Sequence, residues 1–407
     1  MQTVLITGAA SGIGRDTARL FAGAGWQCVL VDHNEQALHT LGQSLPAPAS
    51  AAHVLRTIDL TDPQQIASLG DGTPALDAIL NNAGMSDASN TPLAEQSPAQ
   101  MGRLLALNLA APAAVVDACT HLLKPGARIV NVASGAGLHA IPWRGAYSPS
   151  KAGLIAQTLA LAQARPDWCV TVLAPGFVRT ELVDGLIQAG RLKPERALAK
   201  IPLGRMAAPE EMAQALYFLA SPGAQPLSGQ VLPVDGGSSI YGGSQALAPA
   251  TWAAQALDMP MQLEVCGGDA APWQDVAQPA IGQPHYAACL DLSPLSCESA
   301  GLLQAVHAAA ARFAARCAQQ ASLTVLLPSR KVDRWQHAGD GAAARMLVST
   351  LACEWGHRAL RVNALEVPGD VDPQSLHPLL RFVCGPAAQY LTGQTLIGRS
   401  VAPKESP

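Results

Sequence analysis

Val4-Leu5-Ile6-Thr7-Gly8-Ala9-Ala10-Ser11-Gly12-Ile13-Gly14-Arg15 is the stretch that decides the fold. Its three leading apolar residues, two of them β-branched, predict a strand buried on both faces. The glycines behind them predict a tight turn into a helix, whose first backbone amides can approach a pyrophosphate. A glycine-rich turn alone is weak evidence, and the strand–turn–helix context is what makes this one informative. Asp32 closes the next apolar run, Cys28-Val29-Leu30-Val31, 18 residues after Gly14. A carboxylate there can accept hydrogen bonds from both ribose hydroxyls of NAD and repels a 2′-phosphate. Neither Ala10 nor Ser11 offers that phosphate a cation, and Arg15 reads as a solvated or locally paired helix-initial residue. NAD is the expected cofactor, and NADP the alternative that Asp32 disfavours.

Outward from this stretch, Ala78-Ile79-Leu80, Arg128-Ile129-Val130-Asn131-Val132 and Val170-Thr171-Val172-Leu173 are further apolar runs, separated by helical patterns. Strands alternating with helices predict an α/β fold, a doubly wound parallel sheet of Rossmann type. Gly236-Gly237-Ser238-Ser239 and Gly242-Gly243-Ser244, followed by Pro249 and Pro260, read as a flexible stretch. They place a domain boundary near residue 243, giving domains 1–243 and 244–407.

The 407 residues suit two domains. A hydrophobic fraction of 49% with 14% charged residues excludes an intrinsically disordered chain. The net charge of −4, without a run of either sign, argues against a nucleic-acid partner. Nine cysteines stand singly with no C-x-x-C, so neither a metal site nor a disulfide framework is expected, and a reduced cytoplasm fits. The opening residues lack a basic n-region and a cleavage site, and no uncharged apolar stretch of membrane-spanning length is evident. A cytoplasmic protein without a membrane partner is the expectation.

Tyr147-Ser148-Pro149-Ser150-Lys151 puts a phenol and an ammonium four apart, on one helix face. A free phenol titrates near 10, too high for acid–base work at neutral pH, and a nearby cation should lower it. Ser134 ends a buried strand 13 residues earlier, where its hydroxyl can hold a substrate oxygen. Alone, such a Tyr–Lys pair is ordinary helix surface. Its chemical meaning comes from the combination with the glycine turn and Ser134.

With these motifs in order, joined by Asn81-Asn82-Ala83-Gly84 and Pro175-Gly176, residues 1–243 resemble a short-chain dehydrogenase/reductase. The resemblance implies Tyr147 as general acid/base. It implies Lys151 as the residue that binds the nicotinamide ribose and lowers the tyrosine's pKa, and Ser134 as the one orienting the carbonyl or alcohol. Asn108 matches an asparagine that holds a proton-relay water. Gly8, Ser11, Gly12, Ile13 and Gly14 would cradle the pyrophosphate, Asp59 and Leu60 contact adenine, and Asn82, Ala83 and Gly84 line the cofactor. Val178 and Thr180, after Pro175 and Gly176, would hold the carboxamide. The variable segments of the family imply substrate contacts from His139, Ile141 and Trp143. A lid with Arg191, Lys193, Arg196 and Lys200 would suit an anionic substrate, if these are not simply a solvated helix face.

The second half reads as a worn, shortened copy, a truncated Rossmann-like domain. Residues 344–352 echo 152–160, Val325-Leu326-Leu327-Pro328-Ser329 echoes Val130-Asn131-Val132-Ala133-Ser134, Val367-Pro368-Gly369 echoes Ala174-Pro175-Gly176, and Leu391-Thr392-Gly393-Gln394 echoes Leu227-Ser228-Gly229-Gln230. Gly339 and Ala343 stand where Tyr147 and Lys151 would recur, and Val265-Cys266-Gly267-Gly268-Asp269 is the nearest remnant of the glycine turn. The expectation is an NAD(H)-dependent oxidoreductase interconverting a secondary alcohol and a ketone. Its dead second half would support assembly through helices near 299–320 and 340–356, so that a homodimer imitates the family's tetramer. The alternatives are an NADP(H)-dependent ketoreductase, a dinucleotide-sensing scaffold, or a second half that recruits another protein.

Overall fold

The structure is a computed structural model. It describes residues 1–47, 51–87, 89, 95–141, 143–188, 190, 192–243, 245–276, 284–298, 301–329 and 338–399. Contacts gather these into two compact units. The first comprises Met1–Leu192, Ala208–Ser221 and Ser228–Pro233, and the second comprises Lys193–Ala207, Pro222–Leu227 and Val234–Pro407.

The first sheet contains β1 (Thr3–Thr7), β2 (Gln27–Asp32), β3 (Val54–Thr57), β4 (Leu76–Asn81), β5 (Leu123–Val132), β6 (Cys169–Pro175) and β7 (Val231–Val234). Their order is β3-β2-β1-β4-β5-β6-β7, and the pairings from β3 across to β6 are parallel. β1, β2 and β6 are buried along their whole length, which is why their sequences are apolar without alternation. Two strands escaped the sequence reading, both four residues long and less completely buried. β3 carries Arg56 and an exposed Thr57, and β7 contains Pro233.

α1 (Gly12–Gly23), α2 (Glu35–Ser44), α3 (Pro63–Ala67), α4 (Pro98–Leu105), α5 (Ala111–Cys119), α6 (Tyr147–Ala164), α7 (Glu181–Gln188), α8 (Pro194–Leu198) and α9 (Pro209–Leu219) connect or follow these strands. Val115, Val116 and Cys119 of α5 pack with Leu5, Val29, Ile79, Ile129 and Val170 of the central strands. Elsewhere in the unit α1 meets α9, and Phe21 sets its ring edge-on against Trp26 and Tyr217 at 5.0 and 5.1 Å. One helical run among the described residues, Pro98–Leu122, is long and apolar enough by length and composition to cross a membrane. Its buried positions include Leu104, Val115 and Val116, and the run contains Arg103 and Asp117.

The second sheet contains β8 (Met261–Cys266), β9 (Tyr286–Asp291), β10 (Ala321–Ser329), β11 (Leu360–Pro368) and β12 (Thr395–Ile397), all pairings parallel, in the order β12-β11-β10-β9-β8. α10 (Leu302–Arg316) lies between β9 and β10, α11 (Ala338–Trp355) between β10 and β11, and α12 (Pro373–Cys384) between β11 and β12. The apolar positions of α11 turn onto this unit's own sheet: Ala344, Val348 and Leu351 share a core with Phe313, Leu323 and Val362.

The first part of the stretch read as a flexible linker, Gly236-Gly237-Ser238-Ser239, packs within the second unit, and Ser244 lies outside the described residues. Gly236 and Gly237 are buried in the second unit. The buried Asp235 carboxylate accepts from the amides of Gly237 (2.9 Å) and Ser239 (2.8 Å), and the Gly236 amide donates to Tyr390 O (2.9 Å). Residues 193–207 and 222–227 also pack in this unit, so contacts do not divide the chain at one point near 243.

The two sheets repeat one hydrogen-bond pattern. Gly229 N donates to Val170 O and Val172 N to Gln230 O, while Gly393 N donates to Val362 O and Ala364 N to Gln394 O. Ser228 Oγ accepts from Val170 N at 3.1 Å, as Thr392 Oγ1 accepts from Val362 N at 3.1 Å. Followed across the strands, this register sets Leu5 against Glu264 and so Gly8 against Gly267, whose φ values are +63° and +79°. It also sets Ser134 against Pro328, one residue before the Ser329 chosen from sequence, and Pro175 against Val367.

Arg361 is the most fully hydrogen-bonded buried cation here. It is 1% exposed, and its guanidinium donates to Tyr286 Oη and to the carbonyls of Val383, Cys384, Gly385, Ala388 and Leu391. Arg361→Met would strand these acceptors, and a loss of about 3 kcal/mol or more in urea-unfolding stability is expected. An unchanged midpoint would show that the carbonyls find other donors.

Candidate active site

Strand order reverses between β1 and β4, so the connections leaving their C-terminal ends diverge and open a cleft. It holds about 510 Å³. Gly8, Ser11, Gly12, Ile13, Asp32, Asp59, Leu60, Asn82, Ala83, Gly84, Pro175, Gly176, Val178 and Thr180 line it together with Ser134, Tyr147 and Lys151. Gly14 and Asn108 stand behind this lining rather than in it.

The glycine turn works by close approach. A Cβ on Gly14 would stand 2.0 Å from Gly8 O, and one on Gly8 would stand 2.9 Å from Ala83 Cα. Thr7 Oγ1 accepts from the amides of Asn82 and Ala83, and Asn82 Nδ2 donates to the carbonyls of Thr7 and Gly8. These bonds tie the turn to the end of β4. Asp32 accepts from Ala10 N and Asn34 N, both at 3.0 Å. Asp59 is held below the usual carboxylate range by the amide and hydroxyl of Thr61.

Tyr147 opens α6, and its hydroxyl hydrogen-bonds with Ser134. Burial pushes the phenol above its usual value, against the Ser134 bond and the charge of Arg144. Lys151, 3% exposed, is itself pulled down to about 8 by burial, and its Nζ donates to Val132 O at 2.9 Å. The sequence reading had Lys151 lowering the phenol. Here Arg144 is the cation that does so, and burial outweighs it.

Asn108 sits in the π-helical turn Ala106–Ala110 between α4 and α5 and is wholly buried. Its Oδ1 accepts from Met85 N (2.9 Å), and its Nδ2 donates to Met85 O (2.8 Å) and Ser150 Oγ (3.1 Å). Protein groups therefore satisfy its side-chain amide.

The expected substrate residues are not in the lining. Ile141 and Trp143 are 40% and 57% exposed, Trp143 in a left-handed conformation, and His139 is exposed as well. Met85, Leu107, Leu182 and Val183 supply apolar wall instead, and Arg103 and Glu181 also line the cleft. Glu181, Leu182 and Val183 open the variable segment after Thr180 in which the resemblance places substrate specificity, whereas sequence reasoning missed Met85, Arg103 and Leu107, although Met85 and Leu107 directly adjoin a motif residue. Arg191 lies outside the described residues, and Lys193, Arg196 and Lys200 pack with the second unit.

Residues 8–239 match the family model described as Enoyl-(Acyl carrier protein) reductase. The chain belongs to the short-chain dehydrogenase/reductase family. That is a family of oxidoreductases that bind a nicotinamide dinucleotide. An uncharacterized short-chain type dehydrogenase/reductase y4vI of Sinorhizobium fredii is 39% identical over 242 residues, which cover 58% of this chain and only 43% of that one. The 3-oxoacyl-(acyl-carrier-protein) reductase FabG of Rickettsia prowazekii is 33% identical over 58% of this chain and 96% of its own. Cis-4-hydroxycyclohexanecarboxylate dehydrogenase of Sinomonas cyclohexanicum is 36% identical, with the same coverage. The crystal structure of a short-chain dehydrogenase/reductase (glucose/ribitol dehydrogenase) from Brucella melitensis superposes with a TM-score of 0.54 at 27% identity, over 58% of this chain and 96% of that one.

The burial of Lys151 has a testable consequence. Its pKa falls on folding from 10.5 to about 8, so the unfolded chain binds more protons between those values. Stability contributed at this site is therefore depressed below pH 8 and recovers as pH rises toward 10.5. Urea-unfolding free energies of wild type relative to Lys151→Met should rise by roughly 2–3 kcal/mol from pH 7 to pH 10. A pH-independent difference would mean that the ammonium is solvated.

Proposed function

We propose that the first unit is an NAD(H)-dependent oxidoreductase that interconverts a secondary alcohol and a ketone. The observation that carries this reading is the convergence of Ser134, Tyr147 and Lys151 with the glycine turn and Asp32 on one cleft. The residues present fit a dinucleotide: Gly8 and Gly12 have φ of +63° and +49°, and a Cβ at Gly8 would collide with Ala83. Gly8, Ser11, Gly12 and Ile13 would face the pyrophosphate, Asp32 the adenosine ribose, Asp59 and Leu60 the adenine, and Lys151 the nicotinamide ribose. Pro175, Gly176, Val178 and Thr180 would face the nicotinamide carboxamide. When bound, the nicotinamide exchanges a hydride with the substrate carbon.

The chain's own residues handle the proton. In reduction, the Tyr147 hydroxyl gives its proton to the carbonyl oxygen, and in oxidation its phenolate takes one from the alcohol. Ser134 holds the substrate oxygen beside Tyr147. A cation close to Lys151's position favours the phenolate, so any contact that turns Nζ from Val132 O toward the phenol lowers its pKa. Asn108, through Ser150, keeps the first turn of α6 in register with the segment at Met85. Met85, Leu107, Leu182 and Val183 would enclose an apolar substrate body.

Asp32 supports NAD, and Arg15, the nearest cation of the turn, is engaged by Glu181 at 2.6 Å. An NADP(H)-dependent ketoreductase is the second reading, favoured by the FabG relatives, whose name specifies a 3-oxoacyl substrate.

The second unit is, on this proposal, a shortened and catalytically dead repeat. The shared register supports it, as does a strand order lacking counterparts of β2 and β3. Its glycine remnant is filled by its own side chains: a Cβ on Gly267 would stand 2.0 Å from Ser293 Oγ, and Asp291 pairs with Arg312 at 2.8 Å. Met346 and Leu303, 65% and 38% exposed on α11 and α10, support a role in assembly as a homodimer imitating a tetramer.

Calorimetric titration should give one NADH per chain, with NADPH weak until Asp32→Ala. Two sites per chain would overturn the dead repeat, and tight NADPH binding to wild type would overturn NAD. Tyr147→Phe should keep NADH binding and lower turnover of secondary alcohols by about 10²–10⁴-fold. Undiminished turnover would remove Tyr147 from the chemistry.

A further inference from the structure

Glu181 begins α7, directly after Thr180, and its carboxylate reaches back to the glycine turn. Oε2 accepts the N–H of Gly12, the first residue of α1, at 3.1 Å. Oε1 pairs with Arg15 at 2.6 Å, and Arg15 also lies 3.8 Å from Asp16. Thr180 comes with it: a Cβ on Gly12 would stand 3.2 Å from Thr180 Cγ2 and 3.6 Å from Glu181 Oε2. Glu181's own amide, Arg15 and the Gly12 amide together hold its carboxyl below the usual range.

The amides that open α1 are what the turn offers to an anion, because the helix leaves them without internal partners. A carboxylate and a pyrophosphate cannot share that position, since both are anions and both need the same donor. We infer that Glu181 closes the anion end of this cleft in the cofactor-free chain, and that a dinucleotide binds only by expelling its carboxylate from Gly12. The inference rests on the reading of the cleft as a dinucleotide site.

Two consequences follow from the chain's geometry. A self-bound carboxylate lowers the apparent affinity for the dinucleotide by the fraction of molecules in which it sits in place. And because Leu182 and Val183 follow Glu181 and line the same cleft, expelling the carboxylate also frees the apolar wall available to a substrate. Cofactor binding would then precede and prepare substrate binding. The contact is half-exposed, with side-chain exposures of 56% for Glu181 and 31% for Arg15, so the latch is weak enough to be opened by a ligand.

The test is a fluorescence titration of NADH, and a calorimetric one of ADP, on the full chain and on Glu181→Ala and Glu181→Gln. Glu181→Ala should bind both about three- to tenfold more tightly, since each carries the pyrophosphate that competes with the carboxylate. Glu181→Gln keeps the shape and loses the charge, so it should fall between, and it guards against a folding defect in the alanine variant. Added salt should narrow the gap between wild type and Glu181→Ala. Equal or weaker binding of NADH and ADP by both variants overturns the latch, as does a gain for NADH alone, which would place the effect at the nicotinamide end. If wild type and variants bind no NAD(H) or NADP(H), the dinucleotide reading itself fails and the latch falls with it.

Discussion

The architecture of the first unit depends on one crowded contact, the approach of α1 to the turn that precedes it. With only 2.0 Å between Gly8 O and the place of a Gly14 Cβ, any side chain there would drive the helix away from β1. Held close, α1 directs its first amides, which have no partner within the helix, into the opening between β1 and β4. The same contact explains why Asn82 lies where it does, with its amide nitrogen donating to Thr7 O and Gly8 O and so clamping the turn from the β4 side. The cleft is a product of backbone packing before any reactive side chain enters it.

Burial then sets the chemistry. Lys151 is buried and Tyr147 partly so, and desolvation drives their pKa values apart, the phenol up and the ammonium down. Ser134 and Arg144 act against the rise of the phenol, whereas Lys151 is occupied with the Val132 carbonyl. The reactive group is thus poised by its surroundings as much as by the four-residue spacing. A buried asparagine, Asn108, joins α6 to the segment after β4 through three hydrogen bonds and makes that spacing rigid.

The second unit shares a backbone pattern with the first. Gly393 and Gly229 share a left-handed conformation, with φ of +74° and +72°, because in both the chain turns sharply before pairing with the neighbouring strand. Gly267 has a positive φ like Gly8, but Ser293 and Asp291, both bonded by Arg312, crowd it. Arg361 organises a set of carbonyls from α12 and the turn beyond it, an arrangement for which the aligned position in β6, Cys169, has no counterpart.

The sequence by itself determined the strands buried on both faces, since their central positions are apolar without alternation, and the glycine turn, since only glycine tolerates those contacts. It also named Ser134, Tyr147 and Lys151 by their spacing. The edge strands β3 and β7 escaped it because half-buried segments of four residues carry little pattern. The extent of the units was decided in three dimensions. A Gly-Gly-Ser-Ser stretch reads as a linker, yet the Asp235 carboxylate and Tyr390 O bind and bury it. So was the wall of the cleft: Trp143 and Ile141 turn out to face solvent, while Leu182 and Val183 are brought in by the reach of Glu181 to Gly12 across 169 residues of chain. Local spacing is written in the sequence through hard-sphere and hydrogen-bond rules. Which distant carboxylate meets which amide is settled only when the strands are in register.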